Sequence, residues 1–133
     1  MNYKQIEIGR KLRGLKFNMA AIDVYFQKIN FVELNASTIY ATFYAGLVGN
    51  CIIKNEEIDF SFETVCDWVD DLFNEGKRTL IEEVCAMMAE TDSYKTRLNI
   101  IKEKVDDLNE ETKKKKKLSL KRNLKSTSSH LVD

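Results

Sequence analysis

Between Phe62 and Phe73 the apolar residues Phe62, Val65, Cys66, Val69, Leu72 and Phe73 recur at helical intervals, while Glu63, Asp67, Asp70 and Asp71 take the opposite side. Only a helix brings those intervals onto one face, and a one-faced helix must bury that face against another element. Ser61 stands where its hydroxyl can cap the first turn, Glu63 suits the positive end of the helix dipole, and Asn74-Glu75-Gly76 supplies a stop. The chain is therefore expected to be a packed set of amphipathic helices. With no proline anywhere, nothing forces a break inside them.

Four further helices follow from the same reasoning. Asn18 offers an N-cap to a helix at about 18–30, with Met19, Ile22, Phe26 and Ile29 on one face. Asn35 or Ser37 can cap the next, where Ile39, Phe43 and Leu47 form a row with Tyr40, Tyr44 and Val48 beside it, and Gly49-Asn50 is a place for it to end or fray. A helix at about 78–90 turns Ile81, Val84, Cys85 and Met88 inward, with Leu80 and Met87 widening the face. Thr91-Asp92-Ser93 then recaps a last helix, whose Tyr94, Leu98, Ile101, Val105 and Leu108 form a narrow seam at alternating steps of four and three. That seam either docks on the chain's own core or is offered to a partner or a second copy. Ahead of the helices, Tyr3 to Ile8 and Lys11 to Phe17 read as strands of a hairpin turning at Gly9-Arg10. The fold class expected is mainly α: a small domain of about five helices with a short N-terminal β-hairpin, spanning 1–111, then a disordered, lysine-rich tail at 112–133.

Charge is balanced overall but segregated along the chain. Residues 1–50 carry six basic and three acidic side chains, residues 51–94 three and twelve, and residues 95–133 twelve and six. Five of the last group are consecutive, Lys113 to Lys117. No aromatic residue is interleaved with them to stack on bases, and the acidic middle repels phosphates, so specific nucleic-acid binding is not expected. An acidic surface from Glu56 to Glu90 would instead attract a basic protein.

The remaining features point away from catalysis and metals. Cys51, Cys66 and Cys85 are an odd number, widely spaced and without nearby histidine, which suits free thiols in a reducing cytosol. The one histidine, His130, lies in a serine-rich segment with nothing to orient it. Neither catalytic, cofactor-binding nor metal-binding residues are expected. Glu63, Asp67, Asp70 and Asp71 could gather a cation, but they leave one helix on its solvent side instead of converging. Leu34 to Ile53 lacks formal charge over the length of a membrane span, yet its Asn, Ser, Thr and Gly residues make it a core helix. Trp68, between the apolar and acidic sides, fits either a core edge or an interface anchor.

Three fragments together resemble the tail assembly chaperones of long-tailed, non-contractile bacteriophages. They are Leu15-Lys16-Phe17-Asn18-Met19-Ala20-Ala21, then Tyr44-Ala45-Gly46-Leu47, then the stretch from Ile58 through Ser61 and Trp68 to Asp70. Asn18 stands where that family often has glycine, and nothing after Leu108 matches. The resemblance implies a non-enzymatic helical protein of the host cytoplasm that keeps the tape measure protein soluble, helps tail tube subunits polymerise around it, and is absent from the finished virion. Partner contacts are then expected at Tyr44 and Leu47, at the edge around Trp68, and along Leu98, Ile101 and Val105. The family often makes a longer product by ribosomal frameshifting, and Lys113 to Lys117 require an A-rich coding run on which a ribosome can slip. The alternative is a small cytosolic helical adaptor, or a DNA-associated protein using the basic tail.

Overall fold

Gly9 and Arg10 both adopt left-handed backbone, with φ of 62° each, the geometry of the tight two-residue turn that matches strand twist. On either side run β1 (Tyr3–Ile8) and β2 (Lys11–Lys16), antiparallel with Ile8 opposite Lys11 and Tyr3 opposite Lys16. The computed structural model describes residues 2–29 and 37–108. The lysine run, His130, the caps suggested at Asn35 and the 111/112 boundary lie outside the described residues. Compact packing divides the chain after Lys95. The first unit contains the hairpin and four helices, and the second begins within a fifth helix, 92–108.

Helix α1 (Met19–Lys28) starts where the sequence placed it. Asn18 Oδ1 accepts the Ala21 amide at 2.8 Å, and Asn18 Nδ2 donates to the Gly49 carbonyl at 3.2 Å. One side chain thus caps α1 and ties it to α2 (Ser37–Lys54). Met19, expected on the inner face, is 75% exposed, because the buried face is carried by Ala21, Ile22, Tyr25 and Phe26 one turn on.

The expectation that α2 ends at Gly49-Asn50 is corrected, since the helix runs on to Lys54. Those small residues admit neighbours instead of stopping the helix. A Cβ at Gly49 would lie 2.3 Å from the Lys16 carbonyl oxygen, and one at Gly46 would meet Leu15 and Phe17 at 2.8 and 2.9 Å. Helix α2 consequently lies in close backbone contact with β2 and is buried nearly all round, with Ala41, Phe43, Ala45, Leu47 and Val48 inside. Thr42, polar and buried, returns its hydroxyl to the Thr38 carbonyl at 2.7 Å. Among the described residues no helix is long and apolar enough to cross a membrane.

Helix α3 (Phe62–Asn74) is capped by Ser61, whose Oγ accepts the Thr64 amide at 3.2 Å. It closes at Gly76, with the Lys77 amide reaching back to the Leu72 carbonyl at 2.9 Å. Val65, Val69 and Leu72 are buried as expected, whereas Phe73 at the rim of that face is 42% exposed. Helix α4 (Arg78–Ala89) buries Ile81, Val84 and Met88. Thr91 then both closes α4, donating to the Met88 carbonyl at 2.7 Å, and opens α5 (92–108), accepting the Tyr94 amide at 3.2 Å. The architecture is mainly α, five helices among the described residues behind a two-stranded hairpin.

Candidate functional site

Arg13 organises the best-defined polar constellation. Its neighbours on β2 set it on the same face of the hairpin as Ile6, its cross-strand partner. Nη1 meets Asp59 Oδ1 at 2.8 Å, Nη2 reaches Oδ2 at 3.4 Å, and Nε donates to the Ile8 carbonyl at 3.1 Å. The guanidinium lies 4.6 Å from the Trp68 ring centre and 5.6 Å from that of Phe60. This bidentate pair holds the Asp59 carboxyl below the usual carboxylate range. No local pattern marks the pairing, since Arg13 and Asp59 are 46 residues apart.

Trp68 completes this clamp. A Cβ on Gly9 would lie 2.5 Å from its Cε2 and Cζ2, so only glycine lets the hairpin turn rest against the indole. The half-buried Trp68 therefore joins the hairpin to α3 as a core edge, with Phe60 tilted against it at 6.0 Å. Its outer rim borders a cleft of about 710 Å³ that Glu7, Asp67, Asp71 and Glu75 also line, along with Arg10 and Lys77. Asp67, Asp70, Asp71 and Glu63 are all exposed, as a solvated face requires. Among the described residues no group of His, Cys, Asp and Glu is arranged to hold a metal ion.

Tyr44 is half-buried in an aromatic group, edge-on to Phe62 at 5.4 Å and to Phe60 at 6.0 Å, with Lys28 Nζ 5.5 Å from its ring centre. Leu47, only 2% exposed, is a core side chain and does not reach the surface. Beside Tyr44, the Tyr40 hydroxyl donates to Asp70 Oδ1 at 2.6 Å, which ties α2 to the acidic face of α3. That bond, then burial and the nearby negative charge, push the Tyr40 phenol up to about 12.

In the second unit, Leu98 and Ile101 are half-buried while Val105 is 45% and Leu108 62% exposed. At the start of the same helix, Tyr94 stacks on Phe26 at 5.8 Å and sits edge-on to Tyr25. Burial, with the neighbouring Tyr94, pushes the Tyr25 phenol up. The expected seam is thus used differently along its length, with its first member half-buried against the rings of Tyr25 and Phe26.

Cys51 is buried, and Cys66 and Cys85 are half-buried. All three are free thiols pushed above their ordinary value by burial, which keeps them protonated and poorly nucleophilic at neutral pH. Sequence reasoning missed Asn50, which is buried against Gly14 and whose Oδ1 finds no hydrogen-bond partner among the described residues. Comparison of the chain with protein-family models, with curated proteins and with solved structures finds no match.

Proposed function

We propose that this chain is a tail assembly chaperone of the long-tailed, non-contractile bacteriophage type, which shields a long helical tape measure protein during tail assembly. The observation that carries this reading is the mutual packing of the three fragments on which the resemblance rests. Gly46, from the second fragment, abuts Leu15 and Phe17 from the first. Tyr44, from the second, meets Phe60 and Phe62 from the third. Segments far apart in sequence thus form one packing unit, as expected if they mark a shared fold instead of a chance likeness.

In this reading the partner contacts are the outer edges of Tyr44 and Trp68 and the line of Leu98, Ile101 and Val105. Leu47 acts indirectly, by holding the helix that carries Tyr44. The place of action is the host cytoplasm, and the tail tube protein is a second partner, engaged by a longer product made by frameshifting at the codons of Lys113 to Lys117. Co-expression with the tape measure protein is expected to move that protein from the insoluble to the soluble fraction as a complex with this chain. Tape measure protein equally insoluble with and without it would overturn the reading. The frameshift fails separately if the coding DNA lacks a slippery heptanucleotide or an overlapping downstream frame.

A further inference from the structure

Within 96–108, Leu98 and Val105 fall at the first core position of a heptad and Ile101 and Leu108 at the second, so they line one side of the helix. The positions that border this line, and that meet a partner helix's own flanks, are Arg97, Lys102 and Lys104. Lys95, one heptad before Lys102, obeys the same rule. Glu103, Asp106 and Asp107 all fall at the three positions on the far side. The apolar line is therefore bordered on both sides by one sign of charge, while the opposite sign is kept away from it.

We propose that this seam docks an acidic amphipathic helix of a partner protein, one with apolar residues in its core positions and Glu or Asp flanking them. Charge complementarity chooses the occupant. A second copy of the seam, parallel or antiparallel, would set Lys and Arg against Lys and Arg. The acidic face of α3 from a second copy would bring mainly charge, because its Val65, Val69 and Leu72 are in its own core and Phe73 at its rim offers one exposed apolar side chain, not a line of them. A nucleic acid would satisfy the lysines but leave Val105, 45% exposed, against a polar backbone. The described stretch is about 20 Å long at 1.5 Å per residue, so the contact is short and salt-sensitive. The inference gives the chemistry of the partner at the seam used in the proposed function, and it stands or falls without any phage component.

The test titrates the full chain with a labelled three-heptad peptide carrying Leu and Ile at core positions and Glu at the flanks. Comparison ligands are the same residues scrambled, the peptide with Lys at the flanks, and a random DNA duplex. Binding of the patterned acidic peptide at low salt is expected to be at least about tenfold tighter than that of either peptide control. It is expected to be lost in an Ile101→Asp/Val105→Asp double variant, and the triple variant Arg97→Glu/Lys102→Glu/Lys104→Glu should switch preference to the lysine peptide. Both sets of substitutions fall outside the buried core, and circular dichroism checks that the fold is kept. Equal binding of scrambled and patterned peptides, no binding, binding that survives the double variant, or preference for DNA through the same lysines would each overturn the proposal.

Discussion

In α2 every residue from Ala41 to Cys51 except Tyr44 is buried, whereas in α5 none from 96 to 108 is. Both helices present regularly spaced large apolar side chains, so their number does not explain the difference. What separates them is the small residues: Ala41, Ala45, Gly46 and Gly49 let strand β2 and helix α1 approach α2 at backbone distance. In α5 the apolar line is bordered by long basic side chains, which hold water and charge beside it. Burial in this protein follows from what neighbouring positions permit as much as from hydrophobicity itself.

Substitutions test this contrast, in order of decreasing expected effect. Phe43, fully buried on α2, is expected to cost about 3–5 kcal/mol when truncated to alanine, read from urea unfolding midpoints. Gly49→Ala should cost about 1–3 kcal/mol although it adds a good helix former, because the new methyl meets the Lys16 carbonyl. A stabilised Gly49→Ala protein would mean that close approach is not what sets α2 apart.

Arg13→Ala should cost about 1–2 kcal/mol at neutral pH through loss of the carboxylate pair and the indole contact, and Arg13→Lys should restore little of it. Since Asp59 is depressed in the folded state, its contribution is present above the ordinary carboxylate range and is lost as pH falls through the lowered value. The difference in stability between wild type and Arg13→Ala should therefore shrink below about pH 4. At Tyr40, ultraviolet titration should show one tyrosinate forming near 12, returning toward about 10 in Asp70→Asn. The phenol is raised, so the Tyr40 to Asp70 bond persists at neutral pH and is lost as alkali ionises the phenol. Val105→Asp on α5 should shift stability by less than about 0.5 kcal/mol, the smallest effect of the set. A large loss would show that the α5 line is structural.

Much of the fold was legible because its signals are local. Asn18, Ser61, Gly76 and Thr91 mark helix ends through bonds to backbone groups within a few residues, and the apolar period fixed which sides of α3 and α4 turn inward. Misreadings arose where a residue's role depends on something distant. Gly49 looks like a helix stop in isolation and becomes a contact surface only beside Lys16. Met19 and Phe73 keep the period yet sit at the ends of their helices, beyond the reach of a covering neighbour.

The candidate site was less legible for the same reason. Tyr44 and Trp68 could be singled out as aromatic residues at the border of a helical face, but Arg13 and Asp59 carry no pattern that joins them. Leu47 shares the spacing of Tyr44, and only packing decides that one is buried and the other half-exposed. By itself the sequence determined the hairpin, the helices and the charge borders of the α5 line, because turn geometry, capping and periodicity act over a few residues. Tertiary structure alone decided the passage of α2 beneath β2 and the clamp of Arg13, Asp59 and Trp68, because each requires chain segments tens of residues apart to meet at contact distance.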